Sequence, residues 1–255
     1  MKYYEQLLKW RCFTKGDIAQ LTGNKNTAGS LISSYKKKGL IESVHRDLFV
    51  AISLETRRPI ASRFNIAAKA APDAVVSHHS AFEFYGLANQ ICFEAYSATH
   101  THFRPFEYQS VLFRPVPAGI ESGVDEIGGI RVTDMERTVL DGINDFERNC
   151  GLEELLRALE LTPALDAEKL LKYLSEYRTV YLYQKAGYIL DHFREEFRLP
   201  EKFFEACRAN VTESKRCLCK GVQKREHVYS EQWRLYAPYD LYEITSKGSL
   251  PDREI

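Results

Sequence analysis

No apolar run in this chain approaches the roughly 20 residues a helix needs to span a bilayer, so no transmembrane segment is expected. The opening stretch, MKYYEQLLKW, lacks the apolar core and small-residue cleavage site of a secretory leader. Six cysteines (Cys12, Cys92, Cys150, Cys207, Cys217 and Cys219) are scattered without the spacing of a disulfide framework. They read as reduced thiols, and the protein as cytoplasmic. Also missing are a P-loop, G-x-G-x-x-G, H-E-x-x-H and G-x-S-x-G, together with internal repeats and low-complexity tracts. Net charge is absent as well, with 35 Lys/Arg against 35 Asp/Glu.

What is present is enough apolar material, 44% of 255 residues, for real cores. The charge is unevenly placed. Residues 1–60 hold eleven Lys/Arg and five Asp/Glu, a net +6, which leaves 24 basic and 30 acidic residues for the remainder. A basic first quarter on an acidic remainder suggests one module that meets a polyanion and another that does not. The expected architecture is α+β: a helix-turn-helix domain over residues 1–60 and a larger mixed domain over 61–255, joined at Arg57-Arg58-Pro59.

The most informative stretch is Asn26–Lys38, NTAGSLISSYKKK. Ala28, Leu31, Ile32 and Tyr35 recur at the spacing of one helix face. The other face carries Asn26, Ser30, Ser33, Ser34 and Lys37 and no carboxylate. Short hydrogen-bonding side chains with cations at the far end suit phosphates and base edges. Lys36–Lys38 would equally suit the negative end of a helix dipole. Ahead of this helix, Met1–Trp10 reads as a short amphipathic helix. Thr14 and Asp17 form a capping box for Lys15–Leu21, and Gly23 with Asn24-Lys25 makes the turn. Gly39 closes the third helix. Leu40–Val44 and Leu48–Ile52 then alternate as a hairpin around His45-Arg46-Asp47. Three helices and a hairpin describe a winged helix, which places helix three in the major groove and the wing on the backbone.

Beyond residue 61 the pattern predicts helices at Arg63–Ala71 and His78–Tyr85, and strands at Ala74–Val76, Phe93–Ala98 and Gln109–Val116. Val124–Ile127 and Ile130–Val132 read as a hairpin about Gly128-Gly129. Thr133–Glu136 reads as a capping box for a helix to about Asp145. Further helices follow at Leu152–Leu161, Ala167–Tyr177 (capped by Asp166), Thr179–Phe197 and Glu201–Cys207. Glu226–Arg234 and Tyr239–Glu243 read as strands.

Two groups have metal-ligand chemistry: His78, His79, His100 and His102, and Cys207, Cys217, Cys219 and His227. Neither has an established ligand spacing, so no metal and no cofactor is expected. Asp134, Glu136 and Asp141 gather at one helix start, but no second carboxylate–lysine strand completes a nuclease centre.

Three passages, Val76-Ser-His-His-Ser-Ala-Phe-Glu-Phe-Tyr-Gly-Leu87, Val132-Thr-Asp-Met-Glu-Arg-Thr-Val-Leu-Asp141 and Tyr183-Gln-Lys-Ala-Gly-Tyr-Ile-Leu190, resemble the AbiEi family, antitoxins of type IV toxin–antitoxin (abortive infection) systems. With no catalytic motif present, no enzymatic activity is expected, and the resemblance implies an autorepressor that binds inverted repeats in double-stranded DNA near its own promoter, as two copies per site. It also implies a functional partner, a nucleotidyltransferase-type toxin, with which no stable complex is required. On that footing the DNA-binding residues are Asn26, Thr27, Ser30, Ser33, Ser34, Lys36 and Lys37 on the helix and His45 and Arg46 on the wing. Arg137 and Asp141 mark an antitoxin surface, against which stands an internal ion pair. The rival functions are a DNA-targeted nuclease and a protein-interaction adaptor whose winged helix binds no nucleic acid.

Overall fold

The computed structural model describes residues 2–224 and 226–243 and is a mixed α+β protein. Its residues divide into two compact units. The first comprises Met1–Ser80, Phe93–Ala118 and Val124–Val132, and the second Ala81–Cys92, Gly119–Gly123 and Thr133 onward. The division therefore runs elsewhere than the boundary drawn near residue 60. Residues 61–80 and two later segments belong with the amino-terminal helices, because strands far apart in sequence complete that unit. Among the described residues no helix is long and apolar enough to cross a membrane.

The first unit opens with α1 (Tyr4–Trp10), β1 (Cys12–Thr14), α2 (Lys15–Thr22) and α3 (Lys25–Lys37). Met1, where the first helix was expected to begin, lies outside the described residues. A hairpin of β2 (Ile41–His45) and β3 (Leu48–Ala51) follows, turning through Arg46-Asp47 with Asp47 at φ 58°. Strand β1 pairs antiparallel with β3, giving a three-stranded sheet in the order β1-β3-β2. Tyr4, Leu7, Phe13, Ile18, Ala28, Ile32, Tyr35, Leu40 and Phe49 form one core between these helices and strands.

The chain continues with α4 (Arg63–Ala67), β4 (Val75–Val76), α5 (His79–Phe84), β5 (Glu94–Thr99), β6 (Phe106–Tyr108), β7 (Val111–Pro117), β8 (Val124–Ile127) and β9 (Ile130–Thr133), of which α5 passes into the second unit at Ala81. These strands make a six-stranded mixed sheet, β6-β7-β5-β4-β9-β8. Strands β5 and β7 run parallel, while β4 is antiparallel to β5 and parallel to β9. One strand assignment from sequence changes here. Gln109 and Ser110 are not strand but a turn, both at positive φ, linking β6 to β7. Gly128-Gly129 is the turn expected, both residues at positive φ.

The second unit is mainly helical: α6 (Met135–Asn144), α7 (Leu152–Glu160), α8 (Ala167–Tyr177), α9 (Val180–His192) and α10 (Glu201–Ala209). A small sheet of β10 (Arg216–Cys217), β11 (His227–Ser230) and β12 (Leu235–Pro238) completes it, in the order β10-β12-β11. Leu140, Ile143, Leu155, Leu170, Leu182, Leu190, Phe203, Phe204 and Trp233 lie in its core. Three local expectations are corrected. The cap of α6 is Asp134, whose carboxylate accepts from the Arg137 N–H; the Thr133 hydroxyl instead meets that of Thr138. Tyr239–Glu243 is not a strand, and the partner of β11 is Leu235–Pro238, between the two strands expected. Cys92 and Cys150, read as reduced thiols, are joined in a disulfide with Cα atoms 6.9 Å apart; Cys12, Cys207, Cys217 and Cys219 form no disulfide. A separation of 58 residues carries no local spacing by which that pairing could have been read.

Candidate nucleic-acid interface

The residues singled out on the amino-terminal helices are set by three successive capping arrangements. At the start of α2, the Thr14 hydroxyl accepts from the Asp17 N–H and the Asp17 carboxylate accepts from the Thr14 N–H, at 3.1 and 2.7 Å. Gly23, at φ 70°, ends that helix in the left-handed region. One residue later the Asn24 side-chain oxygen accepts from the N–H groups of Asn26 and Thr27, at 2.8 and 3.2 Å. Asn24 is thus the N-cap of α3, a role the sequence reading gave to a turn, although Asn is among the best residues for it. At the other end Leu40 N–H donates to the Tyr35 carbonyl and Gly39 N–H to that of Lys36. This pair of bonds, with Gly39 at φ 66°, is the Schellman closure that glycine permits.

With both ends fixed, the rotational setting of α3 follows from its apolar stripe. Ala28, Ile32 and Tyr35 are buried and Leu31 is half-buried. Asn26, Thr27, Ser30, Ser33, Ser34, Lys36 and Lys37 are all exposed, as are Lys25 and Lys38 at the helix ends. The helix contains three lysines and no acidic residue, and a further lysine, Lys38, is its C-cap. Its outer face therefore offers hydroxyl and amide groups along its length and ammonium groups at both ends.

The hairpin is tied to this frame. Lys15 N–H donates to the Asp47 carbonyl at 3.0 Å, which fixes the β2–β3 turn against the start of α2. Arg46 at that turn is exposed. His45 is half-buried and its ring stacks on Phe106 of β6, with centroids 4.4 Å apart. Of these two hairpin residues, then, Arg46 presents its side chain to solvent and His45 is engaged by a ring of its own unit. Lys69 lies 3.8 Å from Asp17, an exposed pairing that adds a further cation beside the α2 start.

Arg137 and Asp141 present no surface. Both are buried on α6, with the guanidinium Nε 3.5 Å from the Asp141 carboxylate. Arg137 also donates to the Ser122 carbonyl at 2.8 Å, and Tyr177 donates to Asp141. Burial and the Asp141 charge both push the Tyr177 phenol upward. The surface reading of this pair is corrected to an internal ion pair, because α8 supplies Tyr177 to cover it. The neighbouring carboxylates are also committed. Asp134 accepts from Lys169 Nζ at 3.3 Å and from the Tyr173 hydroxyl at 2.7 Å. Glu136 accepts from the Asp166 N–H at 3.0 Å and from Lys169 at 3.3 Å.

The histidines and cysteines considered as ligands are dispersed in environment. His78 and His79 are buried at the start of α5, whereas His100 and His102 are exposed after β5. Cys207 is buried in α10, Cys217 and Cys219 are half-buried, and His227 is exposed on β11. Elsewhere in this second unit the Lys185 amine donates to the carbonyls of Ile143 and Asn144, at 3.3 and 2.9 Å. It sits 4.5 Å from the ring centroids of both Phe146 and Tyr181.

No protein-family model matches the chain, and no curated protein matches it by sequence. Among solved structures it is similar to the RV2827C protein from Mycobacterium tuberculosis, at 15% identity and a TM-score of 0.58, over 92% of this chain and 90% of that one. At that identity the likeness is one of fold.

Proposed function

We propose that this chain is a DNA-binding transcriptional autorepressor and the antitoxin of a type IV toxin–antitoxin pair, counteracting a nucleotidyltransferase-type toxin. In this reading α1 to α3 with the β2–β3 hairpin form a winged helix, α3 enters the major groove and the hairpin lies on the flanking backbone. The observation that carries it is the exposure of an α3 face that holds Asn26, Thr27, Ser30, Ser33, Ser34, Lys36 and Lys37 and no carboxylate. The lysines and Arg46 neutralise phosphates, and Asn26 with the serines reaches base edges or the backbone. Inverted repeats would be read by two copies, one on each half-site. The antitoxin half of the proposal rests on the three family-like passages.

The test is a gel shift on the DNA upstream of the gene at two salt concentrations, beside random duplex. Lys37→Ala is expected to weaken binding to both and to reduce the slope of log affinity against log salt by about one contact. Asn26→Ala is expected to lower operator discrimination by roughly 1–3 kcal/mol. Failure to shift upstream DNA at either salt rejects the repressor reading. Co-expression with the nucleotidyltransferase-like neighbour tests the other half, since growth must be restored by this chain.

A further inference from the structure

The second unit holds a surface that the α3 interface does not use. In the β10–β12–β11 sheet, Leu235 and Ala237 of β12 are buried in the core. Side chains alternate along a strand, so Tyr236 stands on the opposite, outer face. Tyr229 of β11 pairs with Tyr236 across the sheet and Cys217 of β10 pairs with it on the other side. His227, two residues before Tyr229, shares that face. The three rings form one cluster: Tyr229 and Tyr236 centroids are 4.7 Å apart, and His227 and Tyr236 centroids 5.6 Å apart. None of the three is buried.

A cation lies against one of the rings, and the segment around them is basic. Lys215 Nζ lies 5.1 Å from the Tyr229 ring centroid. Lys215, Arg216, Lys220 and Lys224 are all exposed. Residues 213–236 contain six Lys/Arg and three Asp/Glu (Glu213, Glu226 and Glu231), in a part of the chain that is otherwise acidic. Lys220 meets Glu147 at 2.7 Å, but both side chains are more than three-quarters exposed and the pair is screened. The sheet is held from beneath: Tyr181 of α9 donates to the Cys217 carbonyl at 2.5 Å and Gln184 to that of Ser214 at 2.9 Å.

A cross-strand pair of tyrosines stabilises a small sheet by itself. It does not call for a lysine against its edge or a basic segment around it. Aromatic faces exposed on a sheet and bordered by Lys and Arg are the arrangement on which unpaired bases stack while phosphates are neutralised. A duplex keeps its base faces covered and would use only the charges. We propose that the outer face of this sheet, Tyr229, Tyr236 and His227 with Lys215 against the Tyr229 ring, binds single-stranded nucleic acid. Bases stack on the rings and the backbone follows the cations.

The test uses the full chain with fluorescently labelled oligouridine and oligothymidine of about twelve nucleotides, long enough for a site of this kind, followed by anisotropy at two salt concentrations. Tyr229→Ala is expected to weaken binding about tenfold, Tyr229→Phe to leave it near wild type, and Lys215→Ala to flatten the salt dependence. His227→Ala, at an exposed position, gives a second ring deletion if Tyr229→Ala lowers the melting temperature. Lys37→Ala on α3 should leave single-strand binding unchanged, which separates this proposal from the duplex interface. Binding of either oligonucleotide with these responses supports the platform, and the preferred sugar then identifies RNA or DNA. Absence of single-strand binding overturns it. So does binding that heparin and duplex displace equally and that loss of the rings does not alter.

Discussion

The imidazole of His45 lies parallel to the ring of Phe106, within 9°, and Phe106 stacks in turn on Phe113 at 4.9 Å. One side of the β2–β3 turn is therefore held by rings from β6 and β7, while Arg46 beside it is exposed. Adjacent substitutions should move different quantities. His45→Ala is expected to lower stability by roughly 0.5–1.5 kcal/mol, the range for a stacked pair, and to leave the salt slope of DNA binding as it was. Arg46→Ala should leave the unfolding midpoint unchanged and flatten that slope by about one phosphate contact. Denaturant unfolding and salt titration of both variants decide it, and exchanged outcomes would move His45 onto the DNA.

Asp141 and Arg137 make a second separable prediction. The pair is buried, so removing one member strands the other charge in a poorly solvated site. Asp141→Ala should cost about 3–5 kcal/mol, whereas Arg137→Met with Asp141→Leu should recover most of that loss. Urea unfolding measures both. If the folded double variant still restores growth beside the toxin, the pair is an internal support. Loss of rescue without loss of stability would return it to the antitoxin surface.

Some of this was open to the sequence because the signals are local. The α3 stripe, Gly39 at its end, the Thr14–Asp17 box and the Gly128-Gly129 turn each lie within one or two turns of chain. Strands β1, β6 and β10 are two or three residues long, too short to show a period. The β6–β7 turn uses Gln109-Ser110 at positive φ, without the Gly or Asn that usually marks it. The α6 cap slipped from Thr133 to Asp134 because Glu136 bonds to the Asp166 N–H, 30 residues away, and not to its own helix start. At the interface, periodicity identified which α3 residues face outward. It could not reveal that His45 would meet a ring 61 residues later, since only the tertiary fold brings β6 beside β2.

Lys185 gives a pH dependence of definite sign. Burial pushes its amine down to about 8, with Asp145 and Cys219 pulling the other way. An unfolded lysine titrates near 10.4. Between those values the unfolded chain binds more protons than the folded one, so this group makes stability rise with pH from about 8 to about 10.4. Lys185→Met removes the effect. Urea midpoints at several alkaline pH values should show the wild-type protein gaining on the variant across that window. A constant difference between them would mean that the amine titrates normally in the fold.

Gly187 and Trp233 lie closer together than any side chain at position 187 would allow. A β-carbon there would be 2.1 Å from the indole ring, so the Trp233 side chain packs directly on the backbone of α9. Trp233 is almost fully buried and joins β12 to Phe204 of α10. Gly187→Ala must therefore push the indole away, at a cost of about 1–3 kcal/mol for overpacking, despite the better helix propensity of alanine. Trp233→Ala should cost about 3–5 kcal/mol through the cavity it leaves. In the double variant the new methyl enters that cavity, so the combined loss should be smaller than the two single losses together. Chemical unfolding of the four proteins measures the coupling. Strict additivity would show that the indole does not rest on the helix at Gly187.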